Sequence, residues 1–308
     1  MPAAFVRTVS DVHGEAGRVW LAGLGDLVAE LASRWQLEIG ERFELSYNYV
    51  TAVTTSGGTP AVVKLGVPSD AELAGEAEAL RLFGGEGAVR LLRHDADRGA
   101  LLLERADPGV PCSSLVPHDD DAATVAVASV LWRLWRSAPP DCLLRPLEEL
   151  AGTFDRYWRN AGRNTERDAD APLDERSVRR AETLFADLVA AGAERVVLHG
   201  DLHHDNVLSA RREPWLAIDA KGLTGPRGYD AVALLYNPWG FMDATAAVGP
   251  IVDHRVDVLA GELDLDVAEL RAWGYVKAML TALWGLEDHG RPHPMPLRVA
   301  AHLASRLG

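Results

Sequence analysis

The chain has 308 residues, 48% of them hydrophobic and 25% charged, with 31 Lys and Arg against 45 Asp and Glu for a formal net charge of −14. That length allows a sizeable core in two lobes, and the composition is that of a globular chain rather than a disordered one. The negative charge excludes a nucleic-acid backbone as the expected partner and suits a cationic small molecule, although acidity also serves solubility in many proteins.

A run of roughly 18 apolar residues is absent and residues 1–10 lack the basic start and apolar core of a signal peptide, so no membrane association is expected. Cys112 and Cys142 are the only cysteines and have no metal-ligand spacing, which fits a reducing, cytoplasmic location.

Val19, Leu21, Leu24, Leu27, Val28, Leu31 and Trp35 recur mostly at helical spacing and predict a helix over 14–36, weakened in its middle by Gly23 and Gly25. Over 43–65 the pattern turns β-branched and aromatic. Ser56-Gly57-Gly58-Thr59 reads as a hairpin turn and Ala61 to Leu65 as the second strand. Ser69 with Glu72 three residues later is a capping-box pair, opening a helix whose inner stripe is Leu73, Ala77 and Leu80. Leu91-Leu92 and Leu101 to Leu103 read as further strands around the polar turn His94 to Gly99, completing a small, mostly antiparallel sheet.

Glu104 to Val110, with Pro108-Gly109, is the expected hinge between residues 1–105 and a mainly helical part over 106–308. There the periodicity predicts helices over 121–137 and 176–191, with a polar loop over 164–173 between them, and again near 251–262, 266–288 and 295–307. Neither an internal repeat nor a low-complexity tract is present.

The most informative stretch is His199-Gly200-Asp201-Leu202-His203-His204-Asp205-Asn206, followed by Val207-Leu208, the turn Arg211 to Pro214, and Trp215-Leu216-Ala217-Ile218-Asp219. The two apolar segments read as a hairpin that returns Asp219 beside Asn206. An Asp, an Asn five residues on and a later Asp on a neighbouring strand are spaced for phosphoryl transfer. The first accepts a hydroxyl proton and the other two hold the magnesium that bridges nucleotide phosphates. Asp201 is therefore the candidate base, and Asn206 and Asp219 are the candidate Mg2+ ligands, hard oxygen donors few enough to leave room for phosphate and water.

Lys64, on an apolar strand, is placed to reach the phosphates of a nucleotide, and Glu76, beside the inner stripe of the next helix, is its candidate partner. No Gly-x-Gly-x-x-Gly loop is present, so Ser46 and Asn48 are the candidate phosphate donors by position alone. His199, His203 and His204 with Asp201 also permit a metal-dependent hydrolase. Their spacing opposes it, because Gly200 and the apolar strand that follows predict a loop rather than one helical face.

His-Gly-Asp-Leu-His-x-x-Asn with a downstream Ile-Asp resembles the signature of the aminoglycoside phosphotransferase family, which is similar to protein kinases in fold. Within that family, Trp20-Leu21-Ala22, Arg34-Trp35, Gly87 to Leu92, Leu102 to Arg105 and Glu213 to Asp219 resemble the streptomycin 6-kinase and hydroxyurea phosphotransferase branch.

The resemblance implies an α+β, two-lobed protein-kinase-like fold, with a nucleotide-binding antiparallel-sheet N-lobe over 1–105 and a larger helical C-lobe over 106–308 carrying the catalytic loop and substrate site. It implies an ATP- and Mg2+-dependent O-phosphotransferase, with GTP left open beside ATP, working as monomer or dimer. The acceptor is a small-molecule hydroxyl, most simply an aminoglycoside such as streptomycin, with amino sugars and hydroxyurea as alternatives. Glu287 and Asp288, which follow Trp284, are the implied acceptor contacts together with His203, and Asp230 is an implied helix-start cap. Ala220 and Arg227 depart from the family's usual loop after the metal carboxylate. A pseudokinase that binds nucleotide without turnover is the competing class, resting on the atypical phosphate loop.

Overall fold

The computed structural model describes residues 1–161, 173–192 and 194–307, so the polar loop expected over 164–173 lies, except for Leu173, outside the described residues. Helix α1 (Ala3–Trp35) is broken by a non-helical Gly14 and begins well before the 14–36 that periodicity predicts. Its first segment folds back on the second, burying Phe5 and Val9 and setting the Phe5 ring edge-on to Trp20 at 6.3 Å between centroids. The pairing partner is on the far side of a chain reversal, which a periodicity window does not register.

Strands β1 (Leu37–Arg42), β2 (Tyr49–Thr55) and β3 (Pro60–Leu65), helix α2 (Ala71–Phe83), and strands β4 (Leu91–Asp95) and β5 (Ala100–Glu104) follow. The five strands form one antiparallel sheet in the order β1-β2-β3-β5-β4. The turn expected at Ser56 to Thr59 joins β2 to β3, but residues 43–48 are not strand, and β1 was not expected. Five of its six residues are exposed and it is held by pairing with β2, and the alternation of Leu37 and Ile39 with Glu38 and Gly40 is too short to mark a strand. Helix α2 is capped by Asp70, whose side chain accepts the Glu72 amide at 2.8 Å, rather than by the expected Ser69–Glu72 box. An aspartate one residue closer to the helix takes the orphan amide, so the Glu72 carboxylate is not used in the cap.

The pleat sorts the sheet's side chains between two partners. Ala61, Val63 and Leu65 of β3 and Ala100 and Leu102 of β5 pack on α1, in a core containing Trp20, Leu24 and Trp35. Leu101 and Leu103 face the other way, into a larger core shared with α2 and the rest of the chain. Lys64, between Val63 and Leu65, is on that second face and opens into the cleft between the lobes.

The second lobe comprises β6 (Pro108–Pro111), α3 (Asp120–Leu134), β7 (Arg145–Pro146), α4 (Ala151–Ala161), α5 (Glu175–Ala191), β8 (Val196–Leu198), β9 (Val207–Ala210), β10 (Trp215–Ala217), β11 (Leu223–Gly225), α6 (Arg227–Asp230), α7 (Trp239–Ala244), α8 (Val248–Leu263), α9 (Val267–His289) and α10 (Pro294–Ala304). Two small sheets, β10-β9-β6 and β7-β11-β8, carry the loops that face the cleft. Helix α9 packs against α4, α5, α6, α8 and α10 and is the axis of the lobe. Helix α4 was not expected, and α3 stops at Leu134 rather than 137 because Trp135 turns to an extended conformation. No helix among the described residues is long and apolar enough to cross a membrane.

Charged side chains are also built into this core. Arg255 of α8 is fully buried, bonding both carboxylate oxygens of Asp120 (2.7 and 2.9 Å) and the carbonyls of Leu234 (2.6 Å) and Asn237 (2.5 Å). Removing a buried partner leaves its counter-charge and both carbonyls unsatisfied, so Arg255→Met is expected to destabilise the fold by about 3–5 kcal/mol in urea denaturation. Arg306→Ala, which breaks the more exposed pair with Asp253, is expected to cost far less in the same assay. Equal effects in the two variants would sink this account.

Candidate active site

A cleft of about 980 Å³ lies between the sheet's inner face and the C-lobe, and Lys64, Glu76, Asp201, Asn206 and Asp219 all line it. The Lys64 ammonium, 7% exposed, bonds Glu76 Oε2 at 2.6 Å and also contacts Asp219 Oδ1. Burial works against its charge, but the two carboxylates outweigh burial and hold it above the usual lysine range. Burial pushes Glu76 upward against the attraction of Lys64. Asp219 goes the other way: burial would raise it, but Lys64 and Lys221 hold it well below the ordinary carboxylate range. Lys221 Nζ stands 3.4 Å from Asp219 Oδ2 and 3.5 Å from Glu72 Oε2. The turn after Asp219 runs against α2, with Gly222 at φ +64° and its backbone so close to Gly75 that a side chain on either glycine would overlap the other strand of chain.

In the loop after β8 the backbone amide and carbonyl of His199, Gly200 and Asp201 are all tied down. Asp230 at the end of α6 accepts the amides of His199 (2.9 Å) and Gly200 (2.7 Å) and the Trp135 indole (3.2 Å). It therefore clamps the loop rather than capping a helix start, a role invisible in sequence because its partners lie 30 and more residues away. His199 Nε2 donates to the Ile218 carbonyl (2.8 Å) while Nδ1 accepts the Asp201 amide (3.3 Å), and burial holds the ring neutral by lowering its pKa. Burial would raise the Asp201 carboxyl, but His203, Lys277 and Lys221 together bring it below its ordinary value, keeping it an ionised acceptor.

Asn206 Nδ2 donates to the Asp201 carbonyl at 3.0 Å and lies 3.3 Å from His203 Nε2, which leaves its Oδ1 for the cleft. The hairpin pairs Val207 with Ala217, and the Ile218 amide bonds the Asn206 carbonyl at 3.0 Å, so Asp219 returns beside Asn206. An amide oxygen and a carboxylate are hard donors, and this set fits a magnesium ion completed by phosphate and water. The histidines do not converge. His199 is spent on the backbone, His204 is buried in the core with neither ring nitrogen bonded among the described residues, and His203 sits behind Asp201 with Nε2 3.9 Å from Oδ2. Among the described residues no group of three or more His, Cys, Asp or Glu is arranged to hold a metal, so the hydrolase alternative has no ligand set.

Ser46 and Asn48 do line the cleft, Asn48 with its Oδ1 buried and unpaired among the described residues. Farther along are Tyr47, Glu72, Glu149, Trp284 and Asp288, together with Val12 and His13 of α1. Asp288 is raised mainly by burial, with Glu287 and Glu72 adding to it and His289 and Arg156 opposing. Glu287 and His203, both expected at the acceptor, are not among the cleft-lining residues. Glu287 is taken up by Arg156 at 2.9 and 3.2 Å. Sequence reasoning missed the contribution of α1, the Glu72 and Glu149 carboxylates, and Lys277, whose place inside the apolar run Tyr275-Val276-Lys277-Ala278-Met279-Leu280 was the available signal.

Residues 34–289 match the family described as aminoglycoside/hydroxyurea antibiotic resistance kinase. The chain is 37% identical to streptomycin 6-kinase of Streptomyces griseus over 289 residues, covering 94% of this chain and 91% of that protein. It is 39% identical to hydroxyurea phosphotransferase of Kitasatospora aureofaciens, covering 94% and 81%. Among solved structures, choline kinase LicA from Streptococcus pneumoniae shares the two-lobed kinase-like fold with a TM-score of 0.64 at 16% identity, covering 92% of this chain and 99% of that one.

Asp230→Asn replaces one of two acceptor oxygens with a donor facing the His199 and Gly200 amides. One buried amide is then left unpaired, and a loss of about 1–3 kcal/mol is expected in chemical denaturation. A change below about 0.5 kcal/mol would show that the clamp is dispensable.

Proposed function

The chain belongs to the aminoglycoside/hydroxyurea antibiotic resistance kinase family, and from that premise we propose that it transfers the γ-phosphoryl group of ATP to a hydroxyl of a cationic antibiotic of the streptomycin type, with Asp201 as the base. It is a small-molecule kinase that uses a nucleotide. The observation that carries the residue assignments is the convergence of Asp201, Asn206, Asp219 and Lys64 in one cleft, from segments up to 155 residues apart.

In this reading Lys64, steadied by Glu76, neutralises the nucleotide phosphates, and residues 1–105 supply that half of the site. Asn206 and Asp219 would hold Mg2+, which when bound screens the phosphate charge and orients the γ-phosphoryl group. Asp201 accepts the acceptor's proton as its oxygen bonds phosphorus and the bond to the ADP oxygen breaks; an ionised carboxylate is the form this requires. Lys221, between Asp219 and Glu72, is placed to follow charge as it moves from one phosphate to the next.

The acceptor binds at the far end of the cleft, in residues 106–308 with help from α1 and α2. Glu72, Glu149 and Asp288 offer carboxylates and Trp284 an aromatic face, a combination suited to guanidinium or ammonium groups. The reaction is assigned to the cytoplasm, where ATP is supplied. The intact Lys64, Asp201, Asn206 and Asp219 set speaks against a pseudokinase.

ADP release from ATP and magnesium is expected to be stimulated by streptomycin above other aminoglycosides, glucosamine and hydroxyurea. Asp201→Ala is expected to lower kcat by about 10²- to 10⁴-fold while ATP binding, followed by tryptophan fluorescence, stays near wild type. A variant keeping more than about a hundredth of wild-type kcat defeats the base assignment.

A further inference from the structure

Helix α9 carries a lysine where its other residues are core. Lys277 is 1% exposed, in a run from Ala272 to Leu280 that is buried throughout. Taking an ammonium out of water is costly unless it is paired, yet among the described residues no carboxylate lies within salt-bridge distance of it. Its Nζ donates to the Gly200 carbonyl and lies 4.1 Å from the centre of the Tyr229 ring. A neutral donor would serve that carbonyl with a smaller desolvation cost. The charge is accounted for by where the carbonyl is.

Gly200 has φ +89°, a conformation that side-chain-bearing residues rarely adopt, so local sterics do not hold the chain here and tethers must. Its amide is held by Asp230 Oδ1 at 2.7 Å and its carbonyl by Lys277. The next amide, that of Asp201, is held by His199 Nδ1 at 3.3 Å, and the Asp201 carbonyl by Asn206 Nδ2 at 3.0 Å. The Gly200–Asp201 peptide is thus pinned at both ends, and the Asp201–Leu202 peptide at its carbonyl. Of the four tethers, Lys277 alone comes from outside the 199–230 segment.

We propose that Lys277 is a positioning residue for phosphoryl transfer: its ammonium fixes the plane of the Gly200–Asp201 peptide and with it the direction in which the Asp201 carboxylate enters the cleft. The inference rests on the reading of Asp201 as the base. Without the tether the Gly200–Asp201 peptide keeps only the 3.3 Å bond from its amide to His199 Nδ1, so its carbonyl end can tilt and carry the carboxylate away from the acceptor hydroxyl. A displacement of about 1 Å at a reacting group is worth roughly 100-fold in rate. The nucleotide contacts through Lys64 and Asp219 are on other segments and remain.

The test compares wild type with K277M, K277R, K277A and D201A, using ATP, magnesium and streptomycin. K277M is expected to lower kcat by about 10- to 100-fold with KM for ATP within about twofold of wild type. K277R, which keeps a charged donor, is expected to recover part of the loss. K277A lacks the lysine beyond Cβ, and n-propylammonium, which has the missing atoms, is expected to raise its kcat where 1-propanol does not. K277M with kcat within about twofold of wild type, while D201A is inactive, overturns this inference alone. Parallel loss of kcat and ATP binding in K277M, with no response of K277A to n-propylammonium, also overturns it, since Lys277 would then only support the core. Activity retained in D201A overturns the base assignment and this inference together.

Discussion

The ammonium of Lys64 lies between Glu76 of α2 and Asp219, which follows β10 in the other lobe. For the three groups to meet, β3 must turn Lys64 to the cleft face, α2 must bring Glu76 round beside Leu73 and Leu80, and the β9–β10 hairpin must return Asp219 in register. A slip of one residue in β3 would put Lys64 into the core under α1 and Val63 into the cleft. The contact therefore constrains the register of the sheet and the closure of the lobes. Buried ion pairs contribute little net stability once desolvation is counted, so its value lies in specificity. It also holds a cation in place without fully committing it, since Lys64 has a carboxylate on either side and a cleft in front.

The loop around Asp201 follows a second rule, in which irregular backbone is made rigid by side chains sent from packed elements. Asp230 from α6, His199 at the end of β8 and Lys277 from α9 each take a backbone group that no strand or helix satisfies. Buried backbone polar groups must find partners, and here the partners also set the direction of the proposed base. The N-lobe and C-lobe devices differ in kind. Charged side chains meet one another between the lobes, whereas around Asp201 they meet the backbone.

Much of the site was legible because its intervals are local. Asp201 and Asn206 are in one turn, Asp219 returns through a short hairpin with clear turn residues, and Glu76 sits at a helical phase that shows which face it shares. The elements that were missed are those without a local pattern. Strand β1 is exposed and held by pairing, the first segment of α1 is explained by Trp20 across a chain reversal, and α2 takes its cap from Asp70 because an aspartate next to the helix outcompetes the Ser69 box. The acceptor end was the least legible. Its walls come from α1, α2, the start of α4 and the end of α9, and of the two acidic residues singled out near Trp284 only Asp288 lines the cleft, because Arg156 occupies Glu287.

The sequence by itself determined the chemistry available to the protein: spacing along a loop and hairpin is covalent information, so an Asp, an Asn and a second Asp with a strand lysine already specify oxygen donors and a counter-charge for phosphoryl transfer. Tertiary structure alone decided which charges remain free, which are neutralised and which hold the backbone. Glu287 is spent on Arg156, Asp230 on two amides and Lys277 on one carbonyl, and each of these assignments depends on contacts between residues 30 to 131 positions apart. Burial and electrostatic pairing act through space, and the order of residues along the chain does not encode those distances until the chain is folded.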